Sequence, residues 1–442
     1  GVHPAENKAA TEDRAIQRMP FVDRYSVPLS QHIGVPSQAA VRVGEIVQRG
    51  QRIARAAGYV SVDHHAPVSG RVIAIEPRLH PNGQLSEAIV IERDPSSLQT
   101  LYDERPFDWR QISVAEILTR IREGGFVGMG GAGFPSHVKL VVPEGKRAEH
   151  LLINGCECEP FLTCDHRTML EQTDDVIEGI RIGLKLMGAK RCYIGVEDNK
   201  PNAIEALRRA IPPDLPAEVL ALVTKYPQGA EKMLITAVFD KEVPSGRLPI
   251  DLEIIVNNVG TMAAIGDFVR RGQPLIERVV TVTGPGIREP GNVLVPVGTP
   301  LRDLLEFCGG LRENTRQVLF GGPMMGRAQT SLDVPVLKST SGILCLTDEL
   351  VTPRREFPCI RCLRCVDACP VYLNPCRLGN LSRFRDYDGM QSLGILDCME
   401  CGSCSYVCPS NIPLVQRFRV AKALLREEQA RARLAAQAKK EG

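Results

Sequence analysis

The chain has 442 residues, of which 43% are hydrophobic and 24% are charged, and its formal net charge is +2. These values are ordinary for a globular protein of several domains, and so small a net charge implies no polyanionic partner such as nucleic acid. Aromatic residues make up only 5% of the chain and form no basic-aromatic pattern typical of single-strand binding. No run of eighteen apolar residues occurs and no signal peptide is recognisable, which predicts that no segment spans a membrane.

The first hundred residues predict an arm followed by a small β domain. Residues 1–30 are polar with scattered prolines, which predicts either a tail or a docking arm. Residues 31–100 contain short runs broken by Gly and Pro. Two of these runs, 40–47 and 70–75, alternate with the period of two that strands show.

The motif His65-Ala-Pro-Val-Ser-Gly-Arg-Val72 resembles the barrel-sandwich hybrid of lipoyl and biotinyl carrier domains. Those carriers present one lysine for attachment of the prosthetic group. No lysine occurs here between Lys8 and Lys139, so a swinging arm is excluded. The resemblance therefore implies a structural or partner-binding module.

Residues 101–275 alternate between helical and strand patterns, which is typical of an α/β domain with a mostly parallel sheet. The predicted helices are 114–123, 174–187 and 202–210, and the predicted strands are 151–154, 192–196 and 252–256.

A glycine-rich loop, Gly128-Met-Gly130-Gly131-Ala-Gly-Phe134-Pro, comes before the first of these strands, and Lys139 follows it. Adjacent glycines let the backbone approach a ligand and point several N–H groups at an anion, and a nearby lysine can neutralise a phosphate. Residues 124–127 form a poor first strand, so the loop differs from the Rossmann fingerprint. Alone, it is also compatible with an ordinary turn.

Three further polar motifs stand beside strand ends, where ligands bind in α/β domains. They are Asn154-Gly-Cys-Glu157-Cys-Glu159-Pro, Tyr226-Pro-Gln-Gly229-Ala-Glu231-Lys and Asn257-Asn258-Val-Gly-Thr. Together with the glycine-rich loop they predict a ligand site at the carboxyl edge of the sheet.

From residue 276 to 350 short strands at 279–283, 317–320 and 342–346 surround one helix at 300–308. This arrangement predicts a β-grasp module. At the other end of the chain, residues 413–442 are charged and rich in Ala. Because 415–440 contain neither Pro nor Gly, a helix is predicted there.

Residues 351–412 carry eight cysteines in two runs, each with the spacing C-x2-C-x2-C-x3-C-P of bacterial ferredoxins. In this spacing three thiolates of one run bind one cubane cluster and the fourth reaches the other cluster. The predicted ligand sets are Cys359, Cys362, Cys365 and Cys408 for the first [4Fe–4S] cluster, and Cys398, Cys401, Cys404 and Cys369 for the second. The alternative interpretations are a pair of zinc sites or a disulfide lattice.

Several residues near the predicted sites allow two interpretations each. Cys376 is interpreted as a buried apolar cysteine, with a spare cluster ligand as the alternative. Arg361 and Arg364 either solvate the cluster loop or dock an acidic, ferredoxin-like partner. Three more cysteines lie in the motif that begins at Asn154 or just after it, namely Cys156, Cys158 and Cys164. They are interpreted as packing residues, with a redox disulfide or an extra ligand set as the alternative.

Residues 120–265 resemble the flavoprotein subunit of complex I, which reads G-R-G-G-A-G-F-P with a following Lys, then N-x-D-E-x-E-P, Y-x-x-G-E-E and N-N-V-E-T. The resemblance implies a Rossmann-like domain that binds FMN and NADH. The residues implied to hold the FMN phosphate and ribityl chain are Gly128, Gly130, Gly131 and Lys139. Those implied to line the flavin are Asn154, Glu157, Tyr226, Gly229, Asn257 and Asn258. Phe134 is implied to stack on NADH, with Glu159 and Glu231 near its nicotinamide.

The chain departs from that pattern at four positions: Met129 replaces Arg, Cys156 replaces Asp, Ala230 replaces Glu and Gly260 replaces Glu. The flavoprotein of complex I also carries one cluster where this chain carries two runs. The departures bear more on nucleotide affinity than on flavin binding.

The order of modules, namely barrel-sandwich hybrid, flavin domain, β-grasp and two-cluster ferredoxin-like domain, resembles the RnfC family of Rnf electron transport complexes over essentially the whole chain. The resemblance implies an electron-input subunit that passes electrons between NADH, FMN and two [4Fe–4S] clusters in a membrane-bound, ion-translocating NADH:ferredoxin oxidoreductase. Other subunits of that complex are the expected partners, with ferredoxin or flavodoxin reached through them, and the expected location is the cytoplasmic face of the inner membrane. No acid–base dyad is expected, because hydride and electron transfer need none.

Two alternatives stay open on the sequence. The first is a soluble diaphorase subunit of a hydrogenase or formate dehydrogenase, which would share the site chemistry. The second is a non-catalytic iron–sulfur relay whose flavin site has decayed.

Overall fold

The computed structural model describes residues 1–103, 106–351 and 355–441. The predicted boundary at 350–351 borders residues 352–354, which lie outside the described residues. In the described ranges, no helix is both long enough and apolar enough to cross a bilayer.

The N-terminal module consists of two small sheets, with strand orders β2-β8-β7-β4 and β3-β5-β6. The chain bends away from the predicted strand at 40–47 because Gly44 adopts a φ of +93°, so only Ile46–Val47 is a strand there. The strands of this part of the chain are β1 (Ile16–Arg18), β2 (Arg24–Pro28), β3 (Gln38–Ala39), β4 (Ile46–Val47), β5 (Arg52–Arg55), β6 (His64–His65), β7 (Gly70–Leu79) and β8 (Leu85–Arg93).

The N-terminal arm is packed along other modules and is therefore not a tail. Strand β1 pairs in parallel with residues 292–294 of a later sheet. Val2 is buried and exchanges backbone hydrogen bonds with Tyr226, at 2.8 and 2.9 Å.

The second module is a four-stranded parallel sheet, in the order β11-β10-β9-β12, flanked by helices. The predicted helices and strands are confirmed, except that the last strand starts at Ile254 because Pro249–Leu252 forms a 3-10 turn. The elements are α1 (Val114–Glu123), α2 (Ser136–Lys139), β9 (His150–Asn154), α3 (Cys164–Glu171), α4 (Thr173–Met187), β10 (Arg191–Glu197), α5 (Pro201–Ala210), β11 (Ala217–Leu222), α6 (Glu231–Phe239), β12 (Ile254–Asn258) and α7 (Val259–Arg271).

The third module is a mixed six-stranded sheet in the order β1-β14-β13-β17-β15-β16, which includes the strand from the arm. One helix packs its buried face, including Leu301 and Leu304, on this sheet. The elements are β13 (Glu277–Thr283), β14 (Gly291–Pro296), α8 (Leu301–Phe307), β15 (Thr315–Phe320), β16 (Arg327–Ala328) and β17 (Gly342–Thr347).

The C-terminal module is helical and has a small core around Leu378, Met390 and Phe418. The predicted terminal helix is confirmed and begins at Leu414. The helices are α9 (Arg364–Asp367), α10 (Pro375–Arg383), α11 (Tyr387–Ser392), α12 (Ser403–Tyr406) and α13 (Leu414–Glu441).

Candidate cofactor sites

The polar motifs of the second module meet at one edge of its parallel sheet. Strands β9 and β12 are paired in register, so Asn154 lies opposite Asn258 at their carboxyl ends. The glycine-rich loop lies against this edge, because the Met129 amide donates a 2.9 Å hydrogen bond to Thr261 Oγ1. A Cβ at Gly130 would lie 3.3 Å from the Cβ of Asn258, so glycine is what lets the loop approach so closely.

The glycine-rich loop closes on itself and leaves its tip open. The Gly128 amide donates to the Phe134 carbonyl at 2.8 Å, and Val127 bridges Pro135 at the base. Gly131 has a φ of +112°, which strongly favours glycine, and the tip, residues 130–132, is exposed. Backbone N–H groups at this tip are therefore accessible to an anion.

Two predicted site residues form an ion pair beside this loop. Lys139 Nζ lies 2.7 Å from Glu231 Oε1, and the two side chains are 34% and 39% exposed. Because neither is buried, the lysine can turn to a phosphate without leaving a desolvated carboxylate behind.

Asn154 and Asn257 supply amide groups at the sheet edge. Asn154 Nδ2 donates to the Gly229 carbonyl at 2.7 Å, and a Cβ at Gly229 would lie 3.4 Å from both Asn154 Oδ1 and Cys158 Sγ. Asn257 is 4% exposed, and its Nδ2 has no hydrogen-bond partner among the described residues. A buried donor without a partner is costly, so this amide fits the oxygen and nitrogen acceptors of a flavin ring.

Glu157 is a structural anchor of the edge as well as a predicted site residue. Its two carboxylate oxygens accept the amides of Asp165 and His166, at 2.8 and 3.1 Å, and so cap the start of α3. Asn258 Nδ2 donates to Asp165 Oδ2 at 2.7 Å. Burial, with a smaller contribution from the Glu157 charge, raises the pKa of Asp165 to about 7. No sequence signal points to Asp165, which belongs to none of the four polar motifs.

Two departures from the complex I pattern are neighbours in space. A Cβ at Gly260 would lie 3.8 Å from Met129 Cε and 3.2 Å from Asp165 Oδ1. The Arg and the Glu that complex I has at positions 129 and 260 are thus both absent here, and the Asp165 carboxylate occupies space that a larger side chain at 260 would need. Because one positive and one negative side chain are lost together, neither position is left with a charge that lacks its counterpart.

Two buried lysines hold the loop after β9, and sequence reasoning missed both. Lys8 Nζ from the arm donates to the Glu157 and Glu159 carbonyls at 3.0 Å each, and burial lowers its pKa. Lys200 Nζ donates to the Cys156 carbonyl and to Glu197 Oε2, both at 2.9 Å. Isolated lysines far apart in the chain carry no local pattern from which this role can be predicted.

Glu159 and Tyr226 point away from the glycine-rich loop, which differs from their predicted places. Glu159 accepts the amides of Met324 and Met325 at 3.1 and 2.8 Å, and burial raises its pKa. The Tyr226 hydroxyl donates to the Cys401 carbonyl at 2.7 Å in a buried contact. Both side chains thus connect the flavin-like edge to the C-terminal half of the molecule.

Cys156 and Cys164 are buried in the second module, and Cys158 is half-buried beside Cys401 of the C-terminal module. Burial raises the pKa of all three, that of Cys158 to about 12, so they are thiols rather than thiolates at neutral pH. All fifteen cysteines lie in the described residues and all are free. These observations favour the packing interpretation for the three.

The second predicted ligand set surrounds one small cavity. Cys398, Cys401 and Cys404 line it from one run and Cys369 from the other, as the crossed ferredoxin arrangement requires. In the first set, Cys359 and Cys362 are exposed, and Cys365 and Cys408 are half-buried. Four thiols around one cavity fit a [4Fe–4S] cluster, which takes four thiolate ligands.

Cys376 is not in an apolar core, which corrects the interpretation from the sequence. It is half-buried at the start of α10, and its Sγ lies 3.7 Å from Cys359 Sγ. A fifth thiol therefore lies beside the first ligand set.

Four domain families match successive parts of the chain. They are the RnfC barrel sandwich hybrid domain (1–96), the Nuo51 FMN-binding domain (121–267), the SLBB domain (279–328) and the 4Fe-4S dicluster domain (354–409). The C subunit of the proton-translocating ferredoxin:NAD(+) oxidoreductase complex of Clostridium ljungdahlii is 46% identical over 383 residues, which cover 87% of this chain and 84% of that relative. The chain belongs to the RnfC family.

Other members of the RnfC family match over nearly the whole chain. The C subunit of the Na(+)-translocating ferredoxin:NAD(+) oxidoreductase complex of Acetobacterium woodii is 42% identical, over 96% of this chain and 95% of that relative. The C subunit of the ion-translocating oxidoreductase complex of Rhodobacter capsulatus is 41% identical, over 98% and 83%. The predicted family and the multidomain order are confirmed, and the chain carries an FMN-binding domain and a 4Fe–4S dicluster domain.

Proposed function

We propose that this chain is the electron-input subunit of a membrane-bound, ion-translocating NADH:ferredoxin oxidoreductase of the Rnf type. Its FMN-binding and dicluster domains and the names of its relatives support this function. One observation carries it: the sheet edge that contains the buried, unpartnered amide of Asn257 and the second cysteine run belong to one packed unit, joined by the Tyr226–Cys401 hydrogen bond.

Different residues at the sheet edge are assigned to different parts of FMN and NADH. Gly128, Gly130, Gly131 and Lys139 hold the phosphate end of FMN, and the amides of Asn154, Asn257 and Asn258 face its ring, with Glu157 and Gly229 shaping the edge. Phe134 is half-buried at the end of the loop, and we assign it to stacking on NADH. Held by these residues, FMN would supply the exchange between the two-electron chemistry of NADH and the one-electron chemistry of the clusters. Neither an acid nor a base is needed, so positioning and redox tuning are the protein's contributions.

The second cysteine run lies on the side of the flavin domain. Its Cys401 packs with Tyr226 and Cys158 in one apolar cluster between the two modules. The backbone at Met324, whose amide donates to the Glu159 carboxylate, lies against the same run. A Cβ at Gly402 would lie 2.8 Å from the Met324 carbonyl. We therefore assign this run to the receiving side of electron transfer.

The first run faces solvent. Cys359 and Cys362 are exposed, as are the apolar side chains of Ile360 and Leu363, at 68% and 50%. Within the described residues Arg361 forms no ion pair, and neither does Arg364. An apolar patch with unpaired arginines suits an acidic redox partner, either another subunit of the complex or a ferredoxin or flavodoxin reached through it.

The finer descriptions of fold and location belong to the same proposal. The parallel sheet supports a Rossmann-like flavin domain, and the mixed sheet with α8 supports a β-grasp module. The domain limits proposed are 31–100, 101–275, 276–350 and 351–412. As a peripheral subunit, the chain binds the membrane subunits of its complex at the cytoplasmic face of the inner membrane.

An anaerobic titration tests the proposal. The purified chain should contain about one FMN and about eight irons, as two four-iron clusters require, and both absorptions should bleach when NADH is added. Eight irons without flavin or response to NADH would reduce the chain to an iron–sulfur relay.

A further inference from the structure

The first ligand set has a fifth thiol within contact distance. Cys376 Sγ lies 3.7 Å from Cys359 Sγ. The second set differs, because the cavity that it surrounds is lined by four cysteines and by no further thiol; Val415 and Phe418 complete its wall.

Cys359 and Cys376 lie in segments of different rigidity. Cys359 lies in an exposed loop, with exposed residues on both sides of it. Cys376 is fixed in the first turn of α10, which starts with Pro375 and is capped by Asn374 Oδ1, the acceptor of the Arg377 amide at 3.0 Å. The same helix buries Leu378 completely in the core of the module.

We propose that Cys376 is an alternate ligand for the iron that Cys359 serves in the first cluster. This inference rests on the proposed function only in so far as the first run holds a cluster. In the exchange, the Cys359 thiolate leaves the iron and takes up a proton, while the Cys376 thiol gives its proton to water and binds as a thiolate. No electron is gained or lost, and four thiolates ligate the cluster before and after.

The arrangement gives the exposed cluster a protected fourth ligand. Cys359 is one of the two exposed thiols of the set and is open to oxidants or to displacement when a partner docks on the loop. Its loss from a cluster with four ligands alone would leave one iron open. With Cys376 at contact distance on a rigid helix, the cluster stays attached.

Alanine substitutions in the full-length chain, reconstituted anaerobically with iron and sulfide, test the proposal. Alanine is used because serine can itself ligate iron. The matched control for Cys359→Ala is Cys362→Ala, which removes an equally exposed ligand of the same set. Iron per chain and the EPR spectrum of the dithionite-reduced protein are measured, neither of which depends on activity.

The expected iron content is about eight for the unsubstituted chain, for Cys376→Ala and for Cys359→Ala, and about four for Cys362→Ala and for the double variant Cys359→Ala/Cys376→Ala. The EPR signal of the second cluster in every variant shows that the chain has folded. A fall to about four irons in Cys359→Ala alone would overturn the proposal, as would retention of eight in the double variant. Retention of eight in Cys362→Ala would instead contradict the ligand set of the proposed function, and the inference would fall with it.

Discussion

The two cysteine runs share one local structure. In the first run Cys359 Sγ accepts the Arg361 amide at 3.4 Å, and in the second Cys398 Sγ accepts the Glu400 amide at the same distance. Arg361 and Glu400 both have a positive φ, of 57° and 59°. The repeated spacing thus produces the same turn twice, and in each turn a backbone amide donates to the first cysteine sulfur of the run.

The surroundings of these two turns are opposite. Glu400 pairs with Lys422 at 2.7 Å and with Arg419 at 3.4 Å, and Cys401 and Cys404 of its run are buried. Arg361, at the same position of the first run, is exposed beside an exposed thiol. The same turn therefore occurs in two environments: the second run is mostly buried and its Glu400 is ion-paired, whereas the first run is mostly exposed.

Of the predicted effects, that of removing Lys139 on FMN binding should be the largest. It also affects electron transfer, because the second cysteine run is proposed to receive its electrons from bound flavin. A charge-assisted hydrogen bond contributes about 1.5–3 kcal/mol, so Lys139→Ala should weaken FMN binding by about 10-fold to 100-fold. Lys146→Ala, which removes a surface lysine paired with Asp251, is the control. Flavin fluorescence titration of the apo-flavoprotein measures both. Equal affinities for the two variants would remove Lys139 from the phosphate site.

Equivalent positions of the two runs should differ in their contribution to stability. Glu400→Ala deprives the buried Lys422 of its carboxylate and should lower the free energy of unfolding by about 1–3 kcal/mol. Arg361→Ala removes an exposed side chain and should change it by less than about 0.5 kcal/mol. Denaturant titration, followed by loss of cluster absorption, provides the comparison, and equal shifts would contradict the contrast between the runs.

Asp165 should make the stability of the flavin-like edge depend on pH. Its folded pKa, about 7, is above the ordinary value of 3.8, so the native state holds a proton that the unfolded chain releases. Stability should therefore fall as pH rises from about 4 towards 7, by at most about 1.4 kcal/mol per pH unit, and level off above.

The variant Asp165→Asn should flatten this slope between about pH 4 and 7, and exposed Asp13→Asn should not. The groups around the carboxyl are Glu157, Asn258, Arg278 and Lys200, and they are unchanged in both variants. A slope in Asp165→Asn equal to that of the unsubstituted chain would mean that another group titrates.

The arginines of the first run should have the smallest effects. Replacing Arg361 or Arg364 by Glu should slow reduction of an acidic ferredoxin by about twofold to fivefold at low salt, the range of single exposed ion pairs. The effect should vanish at high salt because exposed charges are screened. Arg71→Glu, on the N-terminal module, is the control, and stopped-flow absorbance measures the rates. An effect independent of salt would argue against electrostatic docking.

Local pattern predicts most of what the structure contains. Strand and helix periodicity indicates the parallel sheet, because its strands are buried runs that end at polar motifs, and cysteine spacing indicates the crossed set around the second cavity. The polar motifs also come together at the edge where parallel strands end. In each case the signal lies within one short segment.

The misses share one cause, which is contact between distant segments. Lys8 reaches carbonyls 149 and 151 residues away, and the Tyr226 hydroxyl reaches a carbonyl 175 residues away. Cys376 meets Cys359 only because α10 folds back on the loop. No periodicity or spacing encodes such pairings, which is why the sequence alone leaves the arm as a tail or a docking segment and places Cys376 in a core.

The central claim is that the second run receives electrons on the flavin side and the first run passes them to a partner. The most direct test compares Cys362→Ala with Cys401→Ala, each keeping one cluster and FMN, in anaerobic stopped-flow with NADH. In Cys362→Ala the remaining cluster should bleach as fast as in the unsubstituted chain, and in Cys401→Ala it should stay oxidised on that time scale. Fast bleaching in Cys401→Ala with none in Cys362→Ala would reverse the assignment.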